Sequence, residues 1–127
     1  ESDSRRPWLR ERNTKFILKS GLSGMKSIQS AHFPTAEMAI QKLKEEGYQI
    51  ICVEQTEKSV DFRSAYSVCD KCCIVMGNEI DGVSQEFLSA ADLILEIPMD
   101  GVGKSLNVAV SAGIVGYEIA SRIELKI

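Results

Sequence analysis

Short apolar runs alternate with amphipathic stretches along this chain. Residues 49–54, Gln49-Ile50-Ile51-Cys52-Val53-Glu54, are apolar on both faces, as a strand buried inside a parallel sheet should be. Cys72 to Met76 and Leu93 to Ile97 repeat that pattern, and Ile28 to Phe33 predicts a weaker strand that stops at Pro34. Between these runs the spacing becomes helical. Thr35 can cap a helix with Ala36, Ala39, Ile40 and Leu43 on one face, and Gly47 supplies its stop. Ser84 caps a second helix running to Ala91. Asn107 caps a third, running to about Arg122, with Val108, Ile114, Val115, Ile119 and Ile123 as core candidates. Residues 56–68 predict a loop or irregular helix anchored by Phe62 and Tyr66.

Strands alternating with helices over short links predict an open α/β architecture, a parallel sheet with helices on both faces. Ligands of such sheets bind beyond the carboxyl ends of the strands. Two segments fall there. Ile74 to Ser84 and Ile97 to Val110 each pass from an apolar strand through a glycine-rich polar turn into a helix start. That arrangement offers backbone N–H groups and small side chains around one cleft, the chemistry of a small-ligand pocket.

Composition narrows the class further. At 127 residues the chain has the size of one domain, and 44% hydrophobic with 26% charged residues is ordinary for a soluble globular protein. No apolar run approaches the roughly 20 residues that span a bilayer, so no membrane partner is expected. The start, Glu1-Ser2-Asp3-Ser4-Arg5-Arg6, lacks the apolar stretch of a signal peptide, and a cytosolic location is the simplest expectation. Net charge is −3, yet Arg5, Arg6, Arg10, Arg12, Lys15, Lys19 and Lys26 outweigh Glu1, Asp3 and Glu11 near the start. This basic end suits a phosphate backbone as well as it suits a solvated terminus. Residues 1–14 are expected to form a polar basic arm or truncated connection, and residues 15–127 the domain.

Cys69 and Cys72 have C-x-x-C spacing, with Cys73 next and Cys52 in an earlier run, so zinc and redox chemistry must be weighed. Cys52 and Cys73 lie in strand-like segments where cysteine behaves as a small hydrophobe, and the single histidine, His32, belongs to another segment. Reduced thiols and no metal site are the expectation.

The Gly77-Asn78-Glu79-Ile80-Asp81-Gly82-Val83-Ser84 run, Ile97-Pro98 and the Ser105-Leu106-Asn107-Val108-Ala109-Val110 run stand in a specific order and spacing. They resemble two of the three motifs of the SpoU (TrmH-like) family of RNA 2′-O-ribose methyltransferases in the SPOUT superfamily. The resemblance implies S-adenosylmethionine as cofactor, tRNA or rRNA as substrate and a homodimer. It also implies a C-terminal trefoil knot that includes the loop after Ile97 and the helix from Asn107, a feature no periodicity would suggest.

By the same resemblance, Glu79, Ser105 and Asn107 match catalytic or active-site positions. Cofactor contacts would come from three strand ends: Val53, Glu54 and Gln55; Met76, Gly77 and Asn78; and Ile97, Pro98 and Met99 with Ser105 and Leu106. Blander roles stand beside these. Asn107 can be a helix N-cap, Ser105 a turn residue and Glu79 a solvated carboxylate, while Val53, Met76, Ile97 and Leu106 can be core.

One departure from the family matters. Its first motif, of N-x-G-x-x-x-R type, is absent, and the resemblance runs from about Lys15 to about Arg122. The expectation is therefore a C-terminal portion of the family domain without its first strand and helix. Either the chain is a fragment of an enzyme, or Arg5, Arg6, Arg10 or Arg12 replaces the missing arginine. Three readings follow: a ribose methyltransferase, a catalytically inactive RNA- or partner-binding module of the same fold, and a generic α/β nucleotide-binding or cysteine-based redox protein.

Overall fold

A computed structural model of the chain describes residues 30–78, 80–99 and 107–124. Its elements are helix α1 (Ala36–Glu45), strands β1 (Gln49–Val53), β2 (Val60–Asp61) and β3 (Cys72–Met76), helix α2 (Gln85–Ala90), strand β4 (Leu93–Glu96) and helix α3 (Val108–Glu124). The four strands form one parallel sheet in the order β2-β4-β1-β3. β3 and β4 lie on opposite sides of β1, so the chain crosses over β1 between them and carries α2 on the way.

Side-chain alternation along β1 explains the layering. Ile50 and Cys52 face one core with Cys73, Val75, Ile94, Ala39 and Leu43 of α1, and Phe87 of α2. Ile51 faces the other, with Leu95, Val68, and Val115 and Ile119 of α3. Helices thus cover both faces, which is why the strands are apolar on both sides.

The helix starts are fixed by the residues the pattern singled out. Thr35 Oγ1 accepts from the Met38 N–H at 3.2 Å, Ser84 Oγ from the Phe87 N–H at 3.4 Å, and Asn107 Oδ1 from the Ala109 N–H at 2.8 Å. Gly47, at φ +81°, ends α1 in the left-handed region, and the Tyr48 N–H returns to the Leu43 carbonyl at 2.9 Å. Asp92 adds a clasp between β1 and the turn before β4: its Oδ2 accepts from the Ile50 N–H and its N–H donates to the Ile50 carbonyl, each at 2.8 Å.

Two expectations need correction. Residues 30–33 form no strand; Ser30, Ala31 and His32 are exposed, and only Phe33 packs against the core, so this stretch has no face to bury in a sheet. The loop after β1 contains a short strand, β2, that pairs with β4 through Val60↔Leu95 and Asp61↔Glu96. Two residues are too few to show a period. Phe62 and Tyr66 do anchor this loop against the α3-side core, and Arg122 of α3 stacks over the Tyr66 ring at 3.7 Å. The basic arm expected at residues 1–14, and residues 100–106, on which the expected knot depends, lie outside the described residues. No helix among the described residues is long and apolar enough to cross a membrane.

Candidate functional site

Three strands stop at one level. Val53 is in register with Met76 on one side and Leu95 on the other, so β1, β3 and β4 release their chains side by side. A cleft of about 640 Å³ opens there. Of the residues expected to bind a cofactor, Val53, Glu54, Gln55, Met76, Gly77, Asn78, Ile97 and Met99 all line it. Asn107, at the start of α3, lines it too. Pro98 stands in the same turn but is not on the cleft wall. Glu79, Ser105 and Leu106 lie outside the described residues.

The turn after β3 is closed on itself. Asn78 and Gly82 exchange backbone hydrogen bonds at 3.3 and 3.1 Å, while Asn78 Oδ1 accepts from the N–H groups of Ile80 at 2.8 Å and Asp81 at 2.5 Å. This folding brings Gly82 against Gly77: a Cβ on Gly77 would stand 2.1 Å from the Gly82 carbonyl carbon and 2.3 Å from the Val83 nitrogen. Only glycine allows that approach. Gly82 itself has φ +71°, and a Cβ there would lie 2.1 Å from Glu54 Oε2.

Glu54 reaches from the end of β1 to this turn. Its Oε2 accepts from the Val83 N–H at 3.0 Å and its Oε1 from the Gln55 N–H at 3.1 Å. On the far side of β4, Glu96 Oε1 lies 2.5 Å from Ser59 Oγ, which is also 2.7 Å from the Thr56 carbonyl. Among the described lining residues Glu54, Asp81 and Glu96 bring carboxylates and none brings a basic side chain. Such a wall suits a ligand carrying positive charge.

Six lining residues escaped sequence reasoning: Ile80, Asp81, Gly82, Glu96, Val108 and Ser111. Asp81 and Gly82 had a signal, because they lie inside the Gly-rich run itself. Ser111 follows Asn107 by one helical turn, and its N–H bonds the Asn107 carbonyl at 2.9 Å. Glu96 had none, since its place depends on β4 being flanked by both β1 and β2.

The thiols take no part in this cleft. None of the four cysteines forms a disulfide; Cys69 is exposed and Cys52, Cys72 and Cys73 are buried. Burial pushes the Cys52 and Cys73 thiols up to about 12, the neighbouring Glu54 adding to the first and Cys72 to the second. The described residues include no group of three His, Cys, Asp or Glu side chains able to hold a metal ion.

Residues 8–117 match the SpoU rRNA Methylase family. Over 91 residues the chain is 36% identical to a tRNA (guanosine(18)-2′-O)-methyltransferase of Borreliella burgdorferi, covering 72% of this chain and 41% of that protein. Over 90 residues it is 40% identical to the Aquifex aeolicus enzyme of the same name, covering 68% and 42%. The chain thus spans less than half the length of these relatives. Among solved structures, the A. aeolicus TrmH/SpoU tRNA modifying enzyme superposes with a TM-score of 0.64 at 27% identity, over 91% of this chain and 71% of that one. An AdoMet-bound rRNA methyltransferase from Sinorhizobium meliloti gives 0.62 at 29% identity, over 68% and 33%. The parallel sheet with helices on both faces is the fold of these structures, and the cleft lies between the turn after β3 and the start of α3. The chain belongs to the SpoU rRNA methylase family.

Proposed function

We propose that this chain binds S-adenosylmethionine in the cleft at the strand ends and serves the 2′-O-methylation of a ribose in tRNA, a guanosine being the nucleotide in its relatives' names. The observation that carries the reading is the convergence of Val53, Met76, Gly77, Ile97 and Met99 on one cleft, with Asn107 at its rim. The residues suit such a ligand. Val53, Met76, Ile97 and Met99 offer apolar surface, and Asp81 and Glu96 offset positive charge.

S-adenosylmethionine supplies a methyl group on a positively charged sulfur, open to in-line displacement by a ribose 2′-oxygen. The chain's own work is to hold both reactants in line, to help the hydroxyl lose its proton and to exclude water. Glu79 is assigned to orient the substrate hydroxyl or a basic partner, and Ser105 and Asn107 to organise the substrate side of the pocket wall. Cofactor contacts are assigned to Val53, Glu54, Gln55, Met76, Gly77, Asn78, Ile97, Pro98, Met99, Ser105 and Leu106. The partner of the chain is a second copy: Val110 is 50% and Tyr117 79% exposed on α3, seven residues apart on one helix face. A cytoplasmic location fits a tRNA substrate.

Titration calorimetry with S-adenosylmethionine, followed by methyl transfer to tRNA and rRNA transcripts with and without Glu79→Ala and Asn107→Ala, tests the proposal. Binding followed by transfer to tRNA that either substitution abolishes is expected. Absence of cofactor binding overturns it at the first step. RNA retention that weakens with salt, with no turnover, would instead identify a binding module that has lost the reaction.

A further inference from the structure

Glu54 does two things at once in this cleft. It lines the wall, and its carboxylate is the hydrogen-bonded tie between the end of β1 and the turn after β3, through the Val83 N–H at 3.0 Å. The turn contributes Gly77, Asn78, Ile80, Asp81 and Gly82 to the same wall. Its internal bonds, Asn78 to Gly82 and Asn78 Oδ1 to the Ile80 and Asp81 N–H groups, fix its shape but not its place on the sheet.

Placement comes from a chain of close contacts that leaves no room for side chains. Gly77 abuts the Gly82 carbonyl, and Gly82 abuts Glu54 Oε2. A side chain at either glycine, or no carboxylate at residue 54, would let the turn shift relative to β1. A wall that shifts must be ordered again when a ligand enters, and that ordering weakens binding.

We infer that Glu54 is a positioning residue: it holds residues 77–83 against the end of β1 and so keeps the cleft in the shape that takes the cofactor. The role rests on the reading of the cleft as an S-adenosylmethionine site. It is separate from any contact of Glu54 with the ligand, because it needs an acceptor for the Val83 N–H, charged or not. Glu54→Gln keeps a carbonyl oxygen that can accept that bond, whereas Glu54→Ala keeps nothing.

The experiment is calorimetry of S-adenosylmethionine binding to the full chain, with thermal unfolding in parallel. Loss of a bond to a charged acceptor leads us to expect affinity about tenfold weaker for Glu54→Ala. Glu54→Gln should bind several-fold more tightly than Glu54→Ala, a rescue that bulk charge would not give.

Gly82→Ala supplies an independent arm should Glu54→Ala fold poorly. In the wild-type background the new Cβ meets Glu54 Oε2 and also strains the backbone at φ +71°, so binding should fall; combined with Glu54→Ala the strain stays but the clash is gone, so it should add less. A melting temperature that falls with affinity unchanged overturns the positioning role, as does Glu54→Gln binding no better than Glu54→Ala, or full additivity with Gly82→Ala. Wild-type chain that takes up no S-adenosylmethionine would overturn the functional reading instead.

Discussion

Within the single strand β1 the molecule passes from core to site. Ile50, Ile51 and Cys52 are fully buried, on alternating faces of the sheet, and from the next residue on the half-buried Val53 and Glu54 and the exposed Gln55 line the cleft. The side chains of the buried part are held by burial, and apolar side chains of the right volume would serve there, while the backbone is held by strand pairing and the Asp92 clasp. The open part is held by particular contacts: an acceptor on Glu54, missing side chains at Gly77 and Gly82, a cap at Asn107. The two parts should therefore fail differently when changed.

Truncating the buried part gives the largest effect. Ile51→Ala empties a site with no solvent exposure and should lower stability by about 2–5 kcal/mol, read from the urea midpoint, while affinity for S-adenosylmethionine in the folded protein stays within about twofold. Gln55→Ala, four residues on, should do the reverse, with stability moving by less than about 0.5 kcal/mol while affinity falls. A joint loss of both properties in either variant would break the distinction.

Gly77→Ala comes next and lies on the boundary. The added Cβ meets backbone, not a side chain that could rotate away, so the turn must open. Cofactor affinity should drop at least about tenfold and stability by about 1–3 kcal/mol. Calorimetry and denaturant unfolding on the same sample check both.

That difference also explains what could be read from the chain alone. Burial leaves a periodic trace, so β1, β3, β4 and all three helices follow from spacing, and Thr35, Ser84 and Asn107 mark the helix starts because a short polar side chain there has one local job. The strand ends were legible as a site because parallel strands deliver their ligands there. What escaped depends on pairing between distant segments. β2 exists only because β4 offers an edge, Glu96 faces the cleft for the same reason, and the clasp from Glu54 to Val83 joins residues 29 positions apart. Residues 30–33 misled in the opposite direction, since Ser30, Ala31 and His32 are exposed and give the stretch no face to bury in a sheet.

The buried thiols give a smaller test of the core side. Cys52 and Cys73 are pushed up to about 12 from an ordinary 9.0, so the folded state keeps protons that the unfolded state releases. Stability is therefore intact below pH 9 and falls as the pH rises from 9 towards 12, by up to about 1.4 kcal/mol per thiol and pH unit. Replacing both by alanine should flatten that slope, and Cys69, the exposed thiol, should alone react rapidly with a thiol reagent in the native protein.

At Asn107 the two kinds of contact meet in one side chain. Its Oδ1 caps α3 through the Ala109 N–H, and the residue also forms the rim of the cleft. Asn107→Ala removes the cap and should lower stability by about 1 kcal/mol. Asn107→Asp keeps an acceptor, favours the helix N-terminus by its charge and should leave stability unchanged or slightly raised. If Asn107 only starts a helix, methyl transfer should follow stability and survive in the aspartate variant. If its amide also acts on the substrate side, turnover should fall in both variants alike, because the aspartate keeps the cap but has no N–H to donate.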